Sequence, residues 1–162
     1  MGIQFETDYN METLTAMAKG LRKTVRRKRS RRVHIFAAVV LILGLLTILA
    51  ATIGGEPLGA SGVVTLLAML VLILATLFED KLNAWFSRKR LLPGTELLVM
   101  ALPNTPEYAQ IVAVAETERY FVFALSSHHT QAYDKRTIRG GSVEDFRALI
   151  AEKTGKPVEE IK

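Results

Sequence analysis

The chain of 162 residues contains no cysteine, which excludes disulfide cross-links, thiolate chemistry and zinc sites built on sulfur. Charge is missing in two long places. No Asp, Glu, Lys or Arg occurs from Val33 to Gly55 or from Leu58 to Phe78, and no Lys or Arg lies anywhere between Arg32 and Lys81. Aromatic residues are thin where the chain is most basic: none lies between Tyr9 and Phe36, so that stretch lacks the stacking residues of a nucleic-acid surface. No internal repeat is visible, and the basic stretch is the only biased tract. The glycine-rich segment Gly54 to Gly62 lacks the Lys-Ser/Thr ending of a phosphate loop and reads as a turn. Ser126-Ser-His-His129 holds nucleophile and base atoms, but no nucleophile elbow surrounds it; it reads as a polar turn. With His34 added, the histidines still lack a metal-ligand spacing, so no metal and no cofactor are expected.

The uncharged runs themselves dominate the reading. At about 1.5 Å per residue, a helix of about 20 residues matches a hydrocarbon core roughly 30 Å thick, and both runs qualify. The fold expected is a membrane α-helical hairpin of two transmembrane helices plus a small α+β cytoplasmic domain. Residues 1–32 form an N-terminal strand, an amphipathic helix and a basic arm; 33–86 form the hairpin, with spans at about 34–53 and 60–78; 91–162 form the small domain. The second span is slightly short and gains a turn from Ala60-Ser61-Gly62 or from Asp80 to Phe86. Two buried core helices this apolar would need more surrounding chain. A cleaved signal peptide fits poorly, because the leading segment is long and a second run follows at once.

Basic residues flank the runs on one side only. Lys19, Arg22, Lys23, Arg26, Arg27, Lys28, Arg29, Arg31 and Arg32 precede the first, and Lys81, Arg88, Lys89 and Arg90 follow the second. The expectation is a multi-pass protein of the cell membrane with both termini cytoplasmic. The net charge of +5 is unevenly spread: residues 1–33 hold nine basic against three acidic groups, and 91–162 hold eight against ten. The excess sits beside the membrane, where each cation gains roughly 1 kcal/mol against anionic headgroups. Arg26, Arg27, Lys28, Arg29, Arg31 and Arg32 are therefore candidates for headgroup or partner contact, and no nucleic-acid partner is expected.

Within the runs, Ala37, Gly44 and Ala51 recur every seven positions, as do Ser61, Ala68 and Ala75. Small residues let helices approach closely in lipid, and a heptad period suits a shallow left-handed crossing, so the two stripes are expected to face each other. Thr47, Thr52, Thr65 and Thr76 are the polar exceptions, expected to bond their own helix backbone. With no charged group inside the runs, a transport pathway through this chain alone is not expected.

Outside the runs, Gly2 to Thr7 alternates like a strand whose partner lies far along the chain. Met11, Leu14, Met17, Ala18, Leu21 and Val25 then form a helical stripe that packs on the C-terminal domain or lies among headgroups, with Gly20 marking a break. Strands are expected at Glu96–Ala101, Gln110–Ala115, Tyr120–Leu125 and Thr130–Tyr133, the middle two joined by the short Glu116–Arg119 turn. Ser142 caps a helix with Asp145 closing a capping box, Val143, Phe146, Leu149 and Ile150 form its buried stripe, and Gly155 and Pro157 end it. So small a core calls on the N-terminal strand, the N-terminal helix or a second copy for stability. Lys135, Arg136 and Arg139 are expected on one edge of the domain, as a solvated set pairing with Asp134 and Glu144 or as a contact for headgroups or an acidic partner.

Tyr120-Phe-Val-Phe-Ala-Leu125, Tyr133-Asp-Lys-Arg-Thr-Ile138 and Glu144-Asp-Phe-Arg147 resemble segments of the YcxB-like family of bacterial membrane proteins. That family shows an aromatic-rich strand, an Ile-Pro-Lys-Arg segment matched here at Lys135 and Arg136, and an acidic-aromatic helix. The resemblance implies two adjacent spans and a small cytoplasmic C-terminal domain, and no activity. The function expected is a membrane-tethered interaction or regulatory module without catalysis, whose candidate partners are anionic lipid, an unidentified protein and a second copy in a homo-oligomer. The alternatives are an accessory subunit of a larger membrane complex and a small enzyme acting on lipid or envelope precursors.

Overall fold

A computed structural model describes residues 3–55, 59–89, 97–101 and 106–161, with the backbone alone described at 97–101 and 106–107. The chain divides into two compact units, Lys28–Glu79 and Met1–Arg27 with Asp80–Lys162.

The first unit is a helical hairpin. Helix α2 spans Arg27–Ile53 and helix α3 spans Ala60–Leu77, each long and apolar enough to cross a bilayer. The basic arm is thus helical: Arg27, Lys28, Arg29, Arg31 and Arg32 are exposed on the first turns of α2. The threonines bond carbonyls of their own helix, Thr47 to Gly44 O at 2.8 Å and Thr65 to Ser61 O at 2.9 Å, so their hydroxyls need no other partner. The less exposed positions of α2 are Ala37, Leu41, Gly44, Ile48 and Ala51, alternating by four and three as a helix seam does. In α3 they are Gly62, Thr65, Met69, Leu72 and Thr76.

The structure therefore brings Ala37, Gly44 and Ala51 to the seam and leaves Ser61, Ala68 and Ala75 exposed, each one position before a seam residue. A heptad period sets the spacing of a stripe but not which stripe turns inward. The larger Met69 fits the space left by glycine: a Cβ at Gly44 would lie 2.8 Å from Met69 Sδ. Small residues on one helix accept bulk from the other.

The second unit is α+β. Strand β1 (Gln4–Asp8) pairs antiparallel with β2 (Leu97–Ala101), so the distant partner expected for the N-terminal strand is present. A four-stranded sheet has the order β5-β4-β3-β6, built from β3 (Ala113–Glu116), β4 (Tyr120–Ala124), β5 (Thr130–Asp134) and β6 (Val158–Glu160). The β3–β4 and β4–β5 pairs are antiparallel and β3–β6 is parallel. The β3–β4 turn closes through Thr117, whose amide donates to Tyr120 O at 2.8 Å and whose hydroxyl accepts from the Tyr120 amide at 2.8 Å.

Every residue of β4 is buried, because both faces of the sheet are covered. Phe121 and Phe123 meet Phe5, Tyr133, and Phe146 and Ile150 of α5 (Val143–Thr154) on one face. Tyr120 and Val122 meet Ala115, Ala132, Ile161 and, from α1 (Met11–Lys23), Ala16 and Met17 on the other. The apolar stripe of α1 is spent on this packing, with Leu14 and Leu21 buried. Gly20 does not break the helix as expected. It allows the close approach, since a Cβ there would lie 2.7 Å from Val122 Cγ1. The break falls instead after Lys23.

The capping box forms: Ser142 Oγ accepts from the Asp145 amide at 3.0 Å, and Asp145 Oδ2 accepts from the Ser142 amide at 3.0 Å. Gly155 ends α5 in the left-handed region at φ +63°. Residues Glu79–Arg88 form a separate helix, α4, and all but its first residue belong to the α+β unit. The second apolar helix takes its extra turn from Ala60-Ser61-Gly62, one of the two expected sources, and stops at Leu77 with Phe78 as its cap.

Candidate functional site

Eight residues from the end of β3 to just past β6, and four on α1, line a groove of about 780 Å³ in the α+β unit. Glu12, Thr15, Ala16 and Lys19 supply one wall, at the i, i+3, i+4, i+7 spacing of a single helix face. Glu116 at the end of β3 and Thr117, Glu118 and Arg119 of the β3–β4 turn supply the second, with Lys135 and Glu160 beside them. Tyr120 and Ile161 form an apolar floor with Ala16. The parallel ladder sets Glu160 beside Glu116.

Two buried carboxylates organise the charge. The Glu116 side chain is 5% exposed, takes a two-pronged contact from Arg147 (Nε to Oε2 and Nη2 to Oε1, both 2.8 Å) and a third bond from Lys135 Nζ at 2.8 Å. Hydrogen bonds from Arg147, aided by Lys135 and opposed by burial, hold its carboxyl below the ordinary 4.5. Asp134, 7% exposed, accepts from Arg119 Nε at 2.9 Å, Arg136 Nη2 at 3.0 Å and the Arg136 amide at 3.0 Å. Arg119 also bonds Glu12, which ties the β3–β4 turn to α1. Tyr120 OH lies 3.2 Å from Thr13 Oγ1, and burial raises the phenol above its usual range, so it stays protonated. The groove therefore presents charges held at fixed positions by one another, a surface suited to recognition by shape and charge.

The expected basic edge is rearranged. Lys135 turns inward to Glu116, with its ammonium 5.3 Å over the Phe121 ring, because the adjacent buried carboxylate requires a cation. Arg136 is bonded to Asp134 but 63% exposed, and Arg139 is 76% exposed and 3.8 Å from Glu6. Asp134 is thus a partner of this edge, as expected. Arg26 leaves the basic arm: its guanidinium donates to Ser127 O at 2.6 Å and meets His128 Nδ1 at 2.7 Å. Ser126 Oγ accepts from the amides of His128 and His129, which makes 126–129 a hydroxyl-closed turn. Arg27, Lys28, Arg29, Arg31 and Arg32 remain exposed. Among the described residues, no group of three or more His, Asp or Glu is arranged to hold a metal ion.

Sequence reasoning missed Glu12, Lys19, Arg119, Glu116 and Glu160 as parts of one groove. The signal available was the polar face of α1. The chain matches no protein-family model, no curated protein and no solved structure, so neither the YcxB-like resemblance nor a function is carried by a relative.

Proposed function

We propose that this is a bacterial inner-membrane protein whose α2–α3 hairpin crosses the bilayer twice, leaving both termini and the α+β unit in the cytoplasm as a non-catalytic interaction or regulatory module. The observation that carries the reading is the outer surface of the hairpin. Ile42, Leu46, Leu67 and Val71 are 57, 54, 57 and 65% exposed, with many neighbours like them. A core helix of a soluble protein would be covered, whereas these apolar stretches are almost bare. In water that surface is unfavourable by roughly 25 cal/mol for each Å², and hydrocarbon removes the cost. The cations on α2 and after α3 support the sidedness, and the aromatic strand with Lys135 and Arg136 supports a YcxB-like affiliation. Held at the membrane, the α+β unit meets partners at a raised local concentration, with the charged groove as the contact surface.

Because the chain lacks cysteine, single-cysteine variants report topology cleanly. In intact cells Gly59→Cys should react with a membrane-impermeant maleimide, and Ser127→Cys only after lysis. Labelling of Ser127→Cys from outside, or release of the protein by alkaline carbonate, would overturn the reading.

A second reading, a subunit of a larger membrane complex, draws on the surface of α3. There Val64, Leu67, Ala68, Val71, Leu72 and Ala75 line a shallow apolar concavity of about 490 Å³, where the small alanines leave room for another helix to approach. Stoichiometric integral proteins that co-purify in mild detergent would favour it.

A further inference from the structure

Helix α4 exposes an apolar face on the α+β unit. Leu82, Trp85 and Phe86, at i, i+3 and i+4, are 41, 46 and 53% exposed. Half a turn away Ala84 is fully buried, and Asp80 takes a two-pronged bond from Arg22 of α1, Nε to Oδ1 and Nη2 to Oδ2, both 2.7 Å. The two faces of this short helix therefore differ in kind: one is fastened to the unit, and the other shows aromatic bulk outward. Trp85 and Phe86 meet edge to face at 5.0 Å, and the Lys89 ammonium lies 3.7 Å over the Trp85 ring. Lys81, Arg88 and Lys89 are exposed around them.

Chain connectivity says what covers that face. Helix α3 ends at Leu77 and α4 begins at Glu79. Two residues span at most about 7 Å, so if α3 crosses the bilayer, α4 starts at headgroup depth. Amphipathic Trp and Lys side chains are the ones enriched at that depth, the ring at the acyl boundary and the cation toward phosphate. Hence we propose, resting on the membrane reading above, that α4 is an interfacial anchor. Leu82, Trp85 and Phe86 lie at the boundary between headgroups and acyl chains, Lys81, Arg88 and Lys89 face anionic phosphates, and the Arg22–Asp80 bond passes that hold to α1.

Trp85 is the only tryptophan in the chain, so its fluorescence reports α4 without labelling. The full chain is reconstituted in phosphatidylcholine–phosphatidylglycerol vesicles whose acyl chains carry bromine near the headgroup or near the bilayer centre. The expected result is blue-shifted Trp85 emission, quenched about twofold more strongly by shallow than by deep bromine. Replacing Lys81, Arg88 and Lys89 by Gln should weaken the shallow quenching. A Trp85→Phe, Leu70→Trp protein reports α3 separately and should be quenched most by deep bromine. Trp85 emission unquenched by either lipid, while the α3 reporter is quenched, overturns the anchor and leaves the spans standing. If neither is quenched, the spanning reading fails and takes the anchor with it.

Discussion

Strand β4 and helix α3 are built from the same kinds of side chain and treat them in opposite ways. Phe121 and Val122 are at most 1% exposed, held between α5 on one face of the sheet and α1 on the other. Leu67 and Val71 of α3 are 57 and 65% exposed, and the seam with α2 is made largely of small or polar residues. In water, apolar groups gather and polar ones turn out. In hydrocarbon that drive vanishes, and helices join through close fit and small residues, which is the pattern of the hairpin. Two different solvents along one chain would produce this contrast, which agrees with the proposed membrane setting.

The comparison is most exposed to failure at its two extremes. Phe146 is fully buried and its ring centroid is 4.6 Å from that of Phe5 and 4.9 Å from that of Phe121. Phe146→Ala should remove about 3–5 kcal/mol from the α+β unit. Hydrogen exchange of the β4 amides in the detergent-solubilised full chain measures this as lost protection. Leu67→Ala, on the bare face of α3, should leave those amides unchanged, and equal losses would dissolve the distinction between the regions.

A second contrast sets charge inside the α+β unit against its absence from the hairpin surface. Glu116→Gln leaves Lys135, whose side chain is 15% exposed, and Arg147 without their shared anion. The expected cost is about 3 kcal/mol, at the low end for breaking a buried pair because Arg147 stays 40% exposed. Its pH dependence has a definite sign. Folding lowers the Glu116 carboxyl below 4.5, so its stabilisation is complete above that value and is lost as pH falls through the lowered one. The gap between the wild-type protein and Glu116→Gln, followed by near-ultraviolet circular dichroism in denaturant, should therefore narrow in acid. A gap that widened would contradict the pairing.

The parts legible from sequence were those with a local signature. Period-two alternation marked β1, aromatic and branched residues marked β4, and the Ser142–Asp145 spacing marked the start of α5. Strand β6 has three residues and is held by its parallel ladder to β3, so nothing local announces it. The inward turn of Lys135 was hidden for a similar reason, since its partner Glu116 is set across the sheet by register. The groove joins α1 to residues about a hundred positions later, and no single window contains it. In the apolar runs, the period was readable but its phase was not. Which stripe of α3 faces α2 depends on the fit of Met69 against Gly44, a property of both helices together.

Two glycines carry that difference between regions to its smallest scale. At Gly20 a new Cβ would meet Val122 Cγ1 at 2.7 Å and Val122 Cβ at 3.0 Å, atoms of a branched side chain rooted in a central strand. They cannot withdraw without moving β4. Gly20→Ala should therefore destabilise by about 1–2 kcal/mol, the overpacking cost exceeding the roughly 1 kcal/mol that alanine gains within a helix. At Gly44 the same added atom meets Met69 Sδ at 2.8 Å, the far part of an unbranched chain with several torsions. Met69 can swing aside. Gly44→Ala should change hairpin association by less than about 1 kcal/mol, whereas Gly44→Leu, which Met69 cannot clear, should separate the helices. Disulfide formation between paired cysteines at Ile48 and Thr65, introduced into the chain without native thiols, measures this. Unchanged cross-linking in Gly44→Leu would show that close approach at this glycine does not hold the seam.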